Sequence, residues 1–88
     1  MPFKVTTYQP TPNPNAIKFV LDKLVSDRPR SFFNPEQAQA DPLAAALFNI
    51  DGVTNLLIND NWITVNKAPN AHWPPIKGAV EQVLRESD

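Results

Sequence analysis

The 88-residue sequence contains no cysteine and only two glycines, and these scarcities exclude several functions at once. Without cysteine the chain can form neither a disulfide framework nor a cysteine-based zinc finger. It also has no thiolate with which to hold an iron–sulfur cluster, because such clusters are bound almost universally through cysteine sulfur. Without a glycine-rich segment it has no loop of the kind that cradles a phosphate.

Charge and hydropathy narrow the class of protein further. The net charge is −1, and the absence of any run of basic residues argues against a nucleic-acid partner. No apolar run approaches the ~20 residues of a membrane span, and the first residues lack the apolar core of a signal peptide. The hydrophobic content of 42% supports one core, so we expect a single domain over residues 1–88. Because a membrane span and a signal-peptide pattern are both missing, we expect the domain to be cytoplasmic and to have no membrane partner.

The sequence contains no recognisable catalytic arrangement. His72 is the only imidazole, and no other histidine stands at a metal-ligand spacing from it. The carboxylates are scattered, and the serines lack the glycine-flanked elbow of a hydrolase nucleophile. We therefore expect no enzymatic activity, no catalytic residues and no metal ligands.

Alternating side chains predict two amino-terminal strands, at Phe3–Tyr8 and about Ala16–Leu21. Three prolines stand at every second position between them, which fixes φ near about −65° and removes backbone donors. The connection is therefore expected to be stiff and extended, and to display the amides of Asn13 and Asn15. It either contributes to binding or only restricts the unfolded chain and thereby stabilises the fold.

Two capping residues followed by proline predict where helices begin. Asn34-Pro35 and Asp41-Pro42 each place a helix cap before a proline at the first helical position. A short first turn is therefore expected to break before a second helix starts. Gly52 stands where that helix should end in a left-handed residue, and a final helix is predicted to begin near Trp73.

Two further strands, Asn55–Asn59 and Trp62–Asn66, flank the dipeptide Asp60-Asn61. A two-residue turn places Ile58 opposite Ile63, so that the aliphatic side chains of both strands share one face. A three-residue loop would instead bring an asparagine to the buried side, so the two-residue turn is preferred. The order ββαββα predicts a two-layer α+β fold, with a four-stranded, mostly antiparallel sheet and two helices on one face.

Two helices can cover only one face of such a sheet, so the other face should carry partly exposed apolar side chains. Alternation predicts Tyr8, Val20, Leu57 and Trp62 there, surrounded by Lys4, Lys18 and Thr64. Tryptophan and tyrosine are common among the residues that dominate protein interfaces. The alternative is that the predicted loop Asp22–Arg30 or the carboxyl-terminal tail folds over this face. The candidate partner-binding residues are Tyr8, Thr11, Asn13, Asn15, Lys18, Val20, Leu57 and Trp62.

Four blocks of the chain resemble the N-terminal domain of Nfu-type (NifU-type) iron–sulfur cluster scaffold proteins. The first is Thr11–Phe19, with the sequence TPNPNAIKF, and the second is Pro42–Val53, which looks like the family's central helix and following turn. The others are Trp62–Lys67 and the helix start at Trp73–Lys77. Their order is that of the family, and together they span most of the chain.

The resemblance carries an expectation about function. Full-length Nfu proteins add a second domain whose Cys-x-x-Cys pair holds the cluster, and this chain has no such pair. The resemblance therefore implies a stand-alone, non-catalytic accessory domain without a cofactor of its own, either a monomer or a weak dimer. It would aid cluster assembly or delivery by docking a cysteine-bearing scaffold or a client apoprotein. An alternative from another class is a carrier of iron or a small ligand, using carboxylates such as Asp51 and Asp60.

Overall fold

A computed structural model describes residues 3–87 of the chain, and within them five strands and three helices follow one another. The elements are β1 (Val5–Pro10), β2 (Ala16–Leu21), β3 (Ser26–Phe32), α1 (Pro35–Ala38), α2 (Pro42–Phe48), β4 (Val53–Asp60), β5 (Trp62–Lys67) and α3 (Trp73–Glu86). No helix in the described range combines the length and the hydropathy needed to cross a membrane.

All five strands pair antiparallel in one sheet, in the order β1-β2-β5-β4-β3. The helices pack on one face, because their buried side chains share a single cluster with the inward side chains of the sheet. That cluster comprises Phe19, Leu21, Ala38, Ala44, Leu47, Leu56, Ile58, Ile63, Val65, Ile76, Val80 and Leu84. The α+β class and the antiparallel sheet are confirmed, with one strand and one short helix more than predicted.

The additional strand is formed by a segment that the sequence predicts to be a loop. Ser26–Phe32 pairs with β4, with Arg30 opposite Ile58 and Phe32 opposite Leu56. The register shifts between Ser26 and Arg30, so the intervening residues bulge, which an edge strand tolerates. The prediction of a loop throughout Asp22–Arg30 is therefore wrong, and β3 extends the sheet in its plane.

A second bulge decides the face on which Tyr8 lies. Alternation from Val5 predicts that Tyr8 points away from the helices, but the register with β2 shifts between Val5 and Thr7. Tyr8 consequently stands beside Phe19 on the helical side, with 5.1 Å between ring centroids, and its hydroxyl donates to the Glu81 carboxylate of α3. The predicted position of Tyr8 on the outer face is wrong, because a bulge reverses the alternation beyond it.

The hairpin of β4 and β5 has the predicted register. Ile58 stands opposite Ile63, and Asn59 opposite Trp62, so the turn is formed by Asp60-Asn61. Asp60 has a φ of +51°, which aspartate tolerates better than most residues. The buried aliphatic side chains fix this pairing, because a slip of one residue would move them all to solvent.

Both predicted helix caps are present. The Asn34 side chain accepts the backbone N–H of Gln37 at 2.8 Å, and the Asp41 side chain accepts that of Ala44 at 3.2 Å. Asp41 also pairs with the Arg30 guanidinium, which connects the start of α2 to the edge strand β3. The chain therefore breaks between α1 and α2 where the proline pattern predicts.

The two glycines provide a matched test of the fold. Gly52 has a φ of +96°, and an added Cβ would stand 2.8 Å from the Cβ of Ala71. We expect Gly52→Ala to lower the free energy of unfolding by about 1–3 kcal/mol, through backbone strain and this close contact. Gly78 lies in α3 with nothing within 4 Å of an added Cβ, so Gly78→Ala should raise it by about 0.5–1 kcal/mol. Urea unfolding of both variants checks this, and effects of equal sign would contradict it.

Candidate functional site

The face of the sheet away from the helices, here called the outer face, carries two rows of cross-strand neighbours next to a shorter row of Ala16, Asn66 and Asn55. One row consists of Gln9, Lys18, Thr64, Leu57 and Ser31. The other consists of Thr7, Val20, Trp62 and Asn59. Directly opposite side chains in a sheet stand about 5 Å apart, so residues far apart in sequence form one continuous surface here.

The apolar members of the outer face are only partly covered by their neighbours. Val20, Leu57 and Trp62 are each half-buried. The helices lie across the sheet from them, and β3 extends the sheet without crossing over these rows. Three of the four apolar residues predicted for this face are therefore brought together on it, and they remain accessible.

Two exposed apolar residues are not among those that the sequence predicts for the surface. Phe33 directly follows β3 and is 64% exposed. Leu24 lies in the segment before β3 and is 61% exposed. Phe33 had a detectable signal, since consecutive phenylalanines in an extended segment point to opposite sides and only one can enter the core. Phe32 takes the core position. Leu24 carried no comparable signal.

Lys18 lies near the middle of the outer face and stacks on Trp62. Its Nζ is 4.6 Å from the centroid of the indole ring, a distance at which the ring quadrupole attracts a cation. The two side chains are diagonal neighbours, because Lys18 stands opposite Thr64 and Trp62 opposite Val20. The alternation of β2 and β5 therefore places the ammonium group over the largest apolar side chain of the face.

The proline connection is ordered by hydrogen bonds within it. Asn13 Oδ1 accepts the backbone N–H of Asn15 at 2.9 Å, which forms a local turn. The Thr11 hydroxyl accepts the Asn13 N–H at 3.1 Å and lies 3.0 Å from the carbonyl oxygen of Ala16. Much of the hydrogen-bonding capacity of Thr11 is therefore used within the connection.

Side chains from β5 and α3 hold the same connection from outside. Lys67 Nζ donates to Asn15 Oδ1 at 3.0 Å, and Trp73 Nε1 donates to the Pro14 carbonyl oxygen at 3.2 Å. These bonds favour a structural role for Asn15, as part of a fixed junction at one end of the sheet. Asn13 is exposed, so its amide is accessible from solvent.

The predicted binding residues thus fall into three groups. Lys18 shares the outer face with the three apolar residues described above. Thr11, Asn13 and Asn15 lie in the proline connection. Tyr8 belongs to neither group, because it is on the helical side, where Lys77 Nζ is 4.8 Å from its ring centroid.

The carboxylates proposed for an iron or ligand carrier do not meet. Asp51 precedes β4 and Asp60 ends it, so the length of this strand separates them by about 25 Å. Within residues 3–87, no group of three or more histidine, aspartate or glutamate side chains is placed to hold a metal ion. These two carboxylates therefore cannot coordinate one ion together.

The fold and this surface define a small α+β domain with one packed and one open sheet face. The chain belongs to the family described as scaffold protein Nfu/NifU N-terminal, whose model matches residues 5–87. It is similar to the "NFU1 iron-sulfur cluster scaffold homolog, mitochondrial" of Drosophila erecta, with 34% identity over 89% of this chain and 28% of the relative. It is also similar to "NifU-like protein 5, mitochondrial" of Arabidopsis thaliana, with 33% identity over 89% of this chain and 29% of the relative.

This chain therefore spans under a third of the length of these curated relatives. Among solved structures, a NifU-like protein from Saccharomyces cerevisiae matches with a TM-score of 0.80 and 26% identity, over 97% of this chain and 77% of that one. A Staphylococcus aureus protein solved by X-ray crystallography has the same fold, with a TM-score of 0.75 and 22% identity over 91% of this chain and 96% of that one.

Tyr8→Phe tests whether Tyr8 is structural. The variant keeps the ring contact with Phe19 and removes only the hydroxyl that donates to Glu81. We expect the free energy of unfolding to fall by about 0.5–1.5 kcal/mol, the usual net value of a hydrogen bond. Urea unfolding measures this. Unchanged stability, together with altered binding to a partner, would return Tyr8 to the docking surface.

Proposed function

We propose that this domain serves iron–sulfur cluster assembly or delivery as a non-catalytic accessory domain that docks another protein. The partner is either a cysteine-bearing scaffold domain or a client apoprotein. Membership of the Nfu N-terminal family supports the pathway. The cytoplasmic location stays a prediction from the sequence, and the curated relatives named above are described as mitochondrial.

The open outer face is the observation that carries the docking role. Val20, Leu57 and Trp62 form a half-buried apolar group in the middle of a broad surface, and amide and hydroxyl side chains surround them. An apolar centre within a polar rim is the usual anatomy of a protein interface. Tryptophan in such a centre commonly contributes a large share of the binding energy.

The cluster itself enters this proposal as the partner's cargo. Iron–sulfur clusters are held by cysteine thiolates, and the chain contains none. The domain would therefore recognise and position the protein that carries the cluster. The junction of the proline connection with Lys67 and Trp73 keeps the adjacent end of the sheet in one arrangement, which lowers the entropic cost of docking.

Trp62→Ala tests the docking surface. If Trp62 is an interface residue, its loss should weaken binding of an apo Cys-x-x-Cys domain from an Nfu relative by about 2 kcal/mol. The free energy of unfolding should change little, because the side chain is partly exposed. Isothermal titration calorimetry measures the affinity, and urea unfolding measures the stability.

Leu24→Ala is the control, since it removes an exposed apolar side chain outside the two rows and should leave the affinity unchanged. A large loss of stability with unchanged affinity would make Trp62 a residue of the fold alone. A wild-type domain that binds neither this scaffold domain nor an apo iron–sulfur client protein would contradict the proposed function.

A further inference from the structure

We propose, on the basis of the docking function above, that the partner presents an aspartate or glutamate carboxylate to Lys18. Apolar side chains next to that carboxylate would cover Val20, Leu57 and Trp62. The partner is thus a protein segment with an acidic residue flanked by apolar residues. The proposal follows from the position of Lys18 and from the absence of an ion pair to it within residues 3–87.

Within residues 3–87, Lys18 is the only charged residue in the two rows of the outer face. The remaining members of the two rows are uncharged: Thr7, Gln9, Val20, Ser31, Leu57, Asn59, Trp62 and Thr64. The ion pairs of the described residues involve other cations, Arg30 with Asp41 and Arg85 with Glu81. Lys18 therefore brings to this face a positive charge for which the described part of the chain provides no ion-pair partner.

A partner cannot cover the apolar group without also covering Lys18. The ammonium lies 4.6 Å from the Trp62 ring centroid, so a side chain that packs on the exposed indole also displaces water from Lys18. Removing water from a charge is costly unless a hydrogen-bonding group of opposite charge replaces it. A carboxylate accepts hydrogen bonds from the ammonium and carries the opposite charge, so it can replace the lost water. The stacking on Trp62 already restricts the position of the ammonium, which lowers the entropic cost of forming this contact.

A second copy of this chain fits the face poorly. Two outer faces packed together would bring two Lys18 ammonium groups into one interface, and like charges at an interface are unfavourable. Asp22 follows the end of β2, four residues after Lys18, and no ion pair joins the two among the described residues. Asp22 lies outside the two rows and already accepts the backbone N–H of Lys4 at 3.0 Å. The charge of the outer face therefore favours a different, acidic partner.

A random dodecapeptide library displayed on phage tests the chemistry without knowledge of the natural partner. The wild-type domain is used for selection, after removal of phage that bind a Trp62→Ala variant. We expect the selected peptides to be enriched in aspartate or glutamate next to apolar residues, and to shift the Lys18 amide and Trp62 indole signals in NMR spectra. Enrichment of basic peptides, or no acidic excess over the starting library, would overturn the proposal.

Charge variants test the same point with protein partners. Lys18→Glu should weaken binding of the apo Cys-x-x-Cys domain, or of the best selected peptide, by about tenfold, and Lys18→Gln by less. Arg85→Glu is the matched control, because it makes the same change in net charge on an exposed residue of α3 and should leave the affinity unchanged. The loss caused by Lys18→Glu should shrink as the salt concentration rises.

The outcomes separate this inference from the docking function. If Trp62→Ala weakens binding but Lys18→Glu does not, docking stands and the acidic partner is wrong. If wild type binds and neither variant has an effect, the outer face is not the interface, so the acidic-partner proposal is overturned while the docking function stands at another surface. If wild type does not bind at all, the docking function itself fails. If wild type self-associates in analytical ultracentrifugation and Trp62→Ala prevents it, the occupant is a second copy and the proposal is overturned.

Discussion

The alternation of side chains along the three central strands is the constraint on which the rest of this structure depends. In β2, β4 and β5, every second residue enters the single core beneath the helices. Burying Phe19 and Ile63 on that side necessarily directs Lys18 and Trp62 to the other. Since the helices cover one face only, the outer face is a direct consequence of how the core is built.

The edges of the sheet are less suited to binding than its face. β1 has a bulge between Val5 and Thr7 and ends at Pro10, and β3 contains Pro29 within a bulge, so neither edge offers an uninterrupted row of backbone donors to an added strand. Proline and bulges are common means of preventing edge-to-edge association. Recognition by the proposed outer face would therefore depend on side chains and not on strand addition at an edge.

In the proposed function, the chemistry is divided between this domain and a partner. Iron–sulfur clusters are bound almost universally through cysteine thiolates, which this sequence lacks, whereas recognition requires a rigid surface with a few strong contacts. The rigidity has identifiable sources: the core, and the bonds that Lys67 and Trp73 make to the proline connection. A half-buried tryptophan with a lysine stacked on it then combines apolar area with one directional charge.

The sequence by itself determined the features that local chemistry controls. The caps at Asn34 and Asp41, the turn at Asp60-Asn61 and the hairpin register follow from residues adjacent in the chain, and the family blocks were recognisable there. Tertiary structure alone decided that Ser26–Phe32 is a strand and that Tyr8 faces the helices. Both depend on bulges, whose extra residues are left unpaired and are held in place because the flanking residues pair with a neighbouring strand. Such stabilisation comes from residues distant in sequence, so no local pattern reveals it.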